Sequence, residues 1–146
     1  MKRLLAVSIL LTSAAACTSR TVVNESQFAV APSLTVERFL QAANTRDLET
    51  MSRLFGTSDG PIGDSGGREE IELRMDVIAE ILQHDDYEIV SERRVPGTET
   101  LSNRIGVDMV MRGGGRVRDV GFTVVLESAD RWLVNVIELG KITGAE

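Results

Sequence analysis

Apolar residues recur every three or four positions through residues 34 to 55, which is the period of an amphipathic helix. The pattern predicts a first helix from Leu34, with Ser33 or Thr35 as its cap. Its buried face consists of Val36, Phe39, Leu40 and Ala43. A second, shorter helix is predicted after Asp47, which is a suitable cap. Its apolar positions are Leu48, Met51, Leu54 and Phe55. We expect the two helices to form a V.

A glycine-rich segment separates these helices from a third. Five glycines and Pro61 fall within residues 56 to 67, so no regular element is expected there. The third helix is predicted from about Arg68 to Gln83. Its apolar face consists of Ile71, Met75, Ile78 and Leu82. His84 is expected to close this helix, because a histidine cation interacts favourably with the carboxyl end of a helix dipole.

From Tyr87 onward the period changes to two, which is typical of strands with one buried face. The first predicted strand runs from Tyr87 to Arg94. The apolar faces of the next two are Ile105, Val107, Met109 and Met111, and then Val120, Phe122, Val124 and Leu126. Glycines 113 to 115 are predicted to join these two strands as a hairpin. A turn at residues 128 to 130 leads to a last strand from Trp132 to Leu139, so the second half is an antiparallel meander.

Helices first and strands last predict an α+β domain, in which three helices cover one face of a curved antiparallel sheet. This order of elements over residues 34 to 142 resembles the nuclear transport factor 2-like superfamily, without a diagnostic motif. The resemblance implies a cone between helices and sheet that can hold a pocket. It also implies an alternative function, because some members are isomerases, dehydratases or cyclases that use an aspartate or a histidine-aspartate pair inside the cone.

Two groups of residues are candidates for ligand binding. The first group has the spacing of core positions but would line an apolar pocket if the cone were incompletely filled. Its members are Phe39, Phe55, Met109, Phe122 and Trp132. The sequence leaves both alternatives open. The second group is Asp59 and Asp64 in the glycine-rich segment, since a long irregular segment in a small domain is sometimes a binding loop or lid.

The remaining polar residues predict neither catalysis nor a metal site. Asp108 and Asp119 fall on the strand faces opposite to the apolar residues, so we expect them to point to solvent and not toward a substrate in the cone. The run at residues 84 to 86 has no second histidine to complete a common zinc site. Residues 59 to 64 lack the alternating acidic ligands of a calcium loop. We therefore predict a non-enzymatic domain without a cofactor, and an isomerase or cyclase is the alternative.

The amino-terminal residues have the order of an export signal, with Lys2 and Arg3 before an apolar run and small residues before Cys17. The apolar run is shorter than the roughly 20 residues of a membrane-spanning helix. Residues 13 to 17, Ser-Ala-Ala-Ala-Cys, resemble the bacterial lipobox, with Ala14 in place of the more usual leucine. The resemblance implies cleavage before Cys17, the only cysteine, and transfer of a lipid to its nucleophilic thiolate. An ordinary cleaved signal or a free thiol is the alternative.

These assignments divide the chain into a signal peptide (1–16), a lipidated amino terminus with a flexible tether (17–33) and one domain (34–146). Removing the signal peptide removes two positive charges, so the formal net charge changes from −6 to −8. An acidic domain argues against a nucleic-acid partner. We expect a lipid-anchored protein of the bacterial cell envelope, on the periplasmic side of the outer membrane in a Gram-negative cell. Its expected partner is a small apolar ligand, another envelope protein or a second copy.

Overall fold

Two helices begin the part of the chain that the computed structural model describes, which is residues 31–145. They are α1, Pro32–Thr45, and α2, Leu48–Leu54. The predicted caps of α1 are wrong, because the cap residue is Ala31 and no side chain caps the helix. Pro32 follows it, and the fixed φ of proline suits the first helical position. α1 therefore includes two residues that the sequence assigns to the tether. The predicted cap of α2 is confirmed: the Asp47 carboxylate accepts a hydrogen bond from the Thr50 N–H at 3.0 Å.

The glycine-rich segment after α2 forms a small hairpin, so the prediction that it contains no regular element is wrong. Its elements are β1, Gly56–Thr57, β2, Gly60–Pro61, and one turn of 3-10 helix, Ile62–Asp64. Gly60 has a φ of +138°, which glycine adopts far more readily than other residues. The Asn135 Nδ2 donates to the Gly56 carbonyl at 2.8 Å. This long-range bond ties the hairpin to the edge of the large sheet.

α3 spans Arg68–Ile81, within the predicted bounds. The prediction that His84 closes this helix is wrong, because His84 begins a strand and its side chain is buried. The Asn44 side chain donates to the His84 carbonyl at 3.0 Å and accepts from the His84 N–H at 3.1 Å. The His84 Nδ1 lies 2.8 Å from the Leu82 carbonyl oxygen. These bonds hold the chain where it leaves the helix and enters the sheet.

The second half of the described chain is an antiparallel sheet in the order β3-β4-β5-β6. The strands are β3, His84–Arg94, β4, Ser102–Met111, β5, Arg116–Leu126, and β6, Trp132–Ile137. The predicted hairpin between β4 and β5 is confirmed, with φ values of +101° and +93° at Gly113 and Gly114. Shifts of register between each pair of neighbouring strands are bulges, which bend a sheet. Helices followed by a curved antiparallel sheet confirm the α+β class.

The last element, α4, Gly140–Thr143, is a short helix that the strand pattern does not predict. It follows β6 and contacts β5. No helix within residues 31–145 is long and apolar enough to cross a membrane.

One apolar core joins the helices to the inner face of the sheet. Its fully buried side chains include the predicted helix positions Val36, Phe39, Leu40, Met51 and Met75, and the strand positions Ile105, Val107, Val120, Phe122 and Val124. The alternate positions of β4 and β5 lie on the outer face. The predicted inward faces of these two strands are therefore correct over most of their length.

Candidate functional site

The five apolar residues predicted for ligand binding lie at two depths. Phe39, Met109 and Phe122 are essentially fully buried in the core. Phe55 and Trp132 are half-buried and pack against the margin of that core. The ring centroids of Phe39 and Phe55 are 6.0 Å apart, within the range of a favourable aromatic pair. The deep group thus contributes to the core, whereas the marginal group reaches the surface.

An open hollow of about 310 Å³ lies between α2, the carboxyl end of the small hairpin and the start of β6. We call it the α2–β6 groove. Its lining residues are Thr50, Arg53, Leu54, Pro61, Asp64, Arg131, Trp132 and Leu133. The groove brings together two of the residues predicted from the sequence, Asp64 and Trp132. Its volume is at the lower end of the range for small-molecule sites, which is about 300–1,000 Å³.

Local sequence explains how each wall of the groove is placed. Residues three and four positions apart on a helix share a face, so Thr50, Arg53 and Leu54 line one side together. The opposite wall begins after a tight turn in which Asp130 has a φ of +59°. Aspartate tolerates this left-handed conformation better than most residues. After this turn, Arg131 and Trp132 lie at the start of β6.

The charged side chains of the groove differ in whether they form ion pairs. Arg53 pairs with Glu49 at 2.5 Å, and both side chains are more than half exposed. Arg131 pairs with Glu127, whose side chain is buried. Asp64 lines the same groove as both arginines, yet it forms no ion pair within the described part of the chain. The groove therefore contains two guanidinium groups with exposed surface, an apolar wall and a carboxylate that has no ion-pair partner among the described residues.

Asp59, the other predicted residue of the hairpin, lies outside this groove. It lines a neighbouring polar hollow of about 440 Å³ together with Asp64, Glu127 and Arg131. Three carboxylates line this hollow, and carboxylates are common ligands of cations. Within residues 31–145, however, no group of three or more histidine, cysteine, aspartate or glutamate side chains is arranged to hold a metal ion.

The two strand aspartates lie on the outer face of the sheet, as predicted, but both are engaged in hydrogen bonds. Asp108 Oδ1 accepts a hydrogen bond from the Asp119 N–H at 2.8 Å. Asp119 itself has a φ of +48° at a bulge in β5 and pairs with Arg104 at 2.9 Å. Neither carboxylate faces the core. Their arrangement indicates a structural role on the outer face.

Arg104 is the centre of a polar cluster that sequence reasoning missed. Its Nε donates to Glu138 Oε1 and its Nη1 donates to Asp119 Oδ1, each at 2.9 Å. Lys141 Nζ donates to the Asp119 carbonyl at 2.6 Å. Hydrogen bonding from Arg104 lowers the pKa of Glu138 to about 2 and also lowers the pKa of Asp119. No local pattern signals this cluster, because β-sheet pairing brings its members together.

Cys17 and the predicted signal peptide lie outside the described residues. No protein-family model matches the chain, and no curated protein matches it. The lipobox assignment and the nuclear transport factor 2-like resemblance therefore stay predictions.

Proposed function

We propose that the protein is a lipid-anchored, non-enzymatic binding protein of the bacterial cell envelope, and that its α2–β6 groove binds a small amphipathic molecule. The observation that carries the binding role is the combination of surfaces in that groove. Trp132 provides partly exposed apolar surface, and guanidinium and carboxylate groups stand at its margin. Sites for small molecules typically combine an apolar lining with a few polar groups that fix orientation.

The depth of the other candidate residues favours the groove over the interior of the cone. Phe39, Met109 and Phe122 contact other core residues and have at most 1% of their surface exposed. A ligand among them would have to displace close-packed side chains, which costs free energy. A ligand in the groove meets surface that is already open. Of the two predicted groups of ligand-binding residues, we therefore favour those at the margin of the cone, Asp64 and Trp132.

The residues that could act as a general base lie away from the α2–β6 groove. Asp108 and Asp119 are on the outer face, and the Nδ1 of His84 lies at hydrogen-bonding distance from a backbone carbonyl. A general base must lie within reach of the proton that it removes. None of these three side chains lines the α2–β6 groove. An isomerase or cyclase activity therefore finds no support from these residues.

Membrane anchoring through Cys17 is the second part of the proposal. The support comes from the sequence: small residues precede Cys17, and no second cysteine exists to form a disulfide within the chain. Two or more acyl chains anchor a protein stably, whereas one holds it only marginally.

A dye titration tests the binding role. The probe is 8-anilinonaphthalene-1-sulfonate, which combines aromatic rings with an anionic group. The full chain carrying Cys17→Ala is used, so that no attached lipid competes. Because Trp132 is the only tryptophan, energy transfer from it to the dye reports binding near the groove. We expect saturable transfer.

Two variants provide the comparison. Thr50→Glu places a longer, negatively charged side chain in the groove and should weaken binding of the anionic dye by at least about tenfold, a change of roughly 1.4 kcal/mol. Gln41→Glu adds the same group at an exposed position of α1 and should leave binding unchanged. Equal binding by both variants and the parent chain would contradict the proposed site.

A further inference from the structure

We infer that the α2–β6 groove selects an amphiphile whose headgroup carries both an ammonium and a phosphate group, which is the headgroup chemistry of an aminophospholipid. The inference rests on the proposed function, because it names the ligand class of the same groove. It is carried by the arrangement of charges in the groove and by the position of the groove in the fold.

The Asp64 carboxylate forms no ion pair within residues 31–145, although it shares the groove with two arginines. Arg53 and Arg131 each pair with another carboxylate. A primary ammonium has three N–H donors and would form charge-assisted hydrogen bonds with this carboxylate. A ligand with an ammonium group therefore supplies the partner that Asp64 lacks within the described chain.

The guanidinium groups of Arg53 and Arg131 would bind the phosphate. The side chains of Arg53 and Arg131 are 63% and 46% exposed, so each retains donors that face solvent beside its ion pair. Arginine is suited to phosphate because its planar group donates parallel hydrogen bonds to two oxygens. Thr50, on the same helical face as Arg53, adds a hydroxyl to the lining.

The balance of charge distinguishes a zwitterion from a simple anion. The groove arginines contribute two positive charges, whereas Asp64 and the two arginine partners, Glu49 and Glu127, contribute three negative charges. The local sum is −1, and a purely anionic headgroup would add to it. A headgroup with one ammonium and one phosphate group leaves the sum unchanged, and each of its charges has an opposite charge beside it.

The position of the groove supports a lipid as the source of this chemistry. The Thr35 hydroxyl donates to the Trp132 carbonyl at 3.5 Å, so the first turn of α1 lies against the start of β6. The described part of the chain begins at Ala31, directly before that turn. The groove therefore lies near the residue at which the proposed tether joins the domain. Trp132 is at its lining, and tryptophan is enriched at membrane interfaces.

The test uses soluble short-chain lipids and the full chain carrying Cys17→Ala. Trp132 fluorescence is followed during titration with dihexanoyl phosphatidylethanolamine and with dihexanoyl phosphatidylglycerol, which has the phosphate but no ammonium. We expect the first lipid to bind at least about tenfold more tightly, since only its ammonium can form charge-assisted hydrogen bonds with Asp64. Equal affinity for the two lipids would overturn the inference.

Asp64→Asn should abolish this preference, and Asp85→Asn should retain it. Asp85 is an exposed residue of β3, so its substitution removes the same charge at a position away from the groove. Arg53→Gln should weaken binding of both lipids. Free phosphoethanolamine should bind at least about tenfold more weakly than its lipid, because it has no apolar part to bury. Binding as tight as that of the lipid would refute a membrane source.

Failure of this inference can be told apart from failure of the proposed function. If the dye binds in the groove but neither lipid is preferred, the ligand class is wrong and the binding role stands. If the preference survives Asp64→Asn, the ammonium contact is wrong. If neither the dye nor any lipid changes Trp132 emission in a saturable way, the binding role itself is contradicted. Circular dichroism of each variant confirms that the fold is retained.

Discussion

The guanidinium of Arg104 donates two hydrogen bonds to the carboxylate of Glu138, from Nε at 2.9 Å and from Nη2 at 3.0 Å. Such a bidentate pair is geometrically specific. It joins β4 to the segment between β6 and α4 across the outer face of the sheet. Asp119 completes the cluster from β5. The cluster therefore links β4, β5 and the segment after β6 on the outer face of the sheet.

Gly121→Ala is predicted to disrupt this pair. A Cβ at Gly121 would lie 2.2 Å from Glu138 Oε1 and 2.7 Å from Arg104 Nε, so the carboxylate must move away. We expect the free energy of unfolding to fall by about 1 kcal/mol, because the flexible ends of both side chains can shift and the loss is that of a partly exposed ion pair. Urea denaturation measures it. Gly115→Ala is the matched control, because its Cβ would meet no atom within 4 Å. Equal stability of the two variants would contradict the role given to the pair.

Acid is predicted to weaken the same cluster through Glu138. The pKa of its carboxyl falls from 4.5 to about 2 on folding, so its contribution is complete above pH 4.5 and declines as the pH falls toward 2. The Glu138 side chain is 38% exposed, and solvent screening limits this contribution to about 1 kcal/mol. The stability difference between the parent chain and Glu138→Gln should therefore shrink between pH 7 and pH 3. A difference independent of pH would refute the ion pair, and Glu99→Gln, in an exposed turn, serves as the control.

Asn44→Ala is predicted to loosen the junction between α1 and β3. It removes the donor to the His84 carbonyl and the acceptor for the His84 N–H, which leaves both backbone groups without these partners. We expect a loss of about 2 kcal/mol, since an unsatisfied group costs roughly 1–3 kcal/mol. Thermal unfolding measures this loss. Asn103→Ala, which removes one exposed bond to Glu92, should have a smaller effect. A larger loss of stability in Asn103→Ala than in Asn44→Ala would contradict the role given to Asn44.

Cys17→Ala is predicted to abolish lipid attachment. Cells grown with radioactive palmitate should label the parent protein, and the variant should carry no label, because the thiol is the proposed acceptor. Ser19→Ala is a neighbouring control that should retain the label. A labelled Cys17→Ala protein would exclude the assignment.

Periodicity predicted most of the fold because burial on one face leaves a repeating signal. The buried positions Val36, Phe39 and Met75 follow the helix period, and the inner faces of β4 and β5 follow the strand period. The cap of α2 was predictable because Asp47 and Thr50 are three residues apart. In each case the decisive residues are close in sequence.

The elements that the sequence did not predict depend on contacts between residues that are far apart in sequence. The small hairpin is held by a bond from Asn135 to Gly56, which are 79 positions apart. His84 enters a strand because Asn44, 40 positions earlier, binds its backbone. The α2–β6 groove joins Asp64 to Trp132, and the sequence indicated both residues without showing that they meet. Neither the spacing of residues nor the composition of the chain predicts such contacts between residues distant in sequence.

We propose that a small amphipathic molecule binds in the α2–β6 groove and not in the cone. Backbone amide chemical shifts of the Cys17→Ala chain, recorded while 8-anilinonaphthalene-1-sulfonate is added, test it most directly. We expect saturable shifts at Thr50, Arg53 and Trp132, with little change at the core residues. Shifts concentrated at Phe39 and Phe122, with the groove amides unmoved, would contradict it.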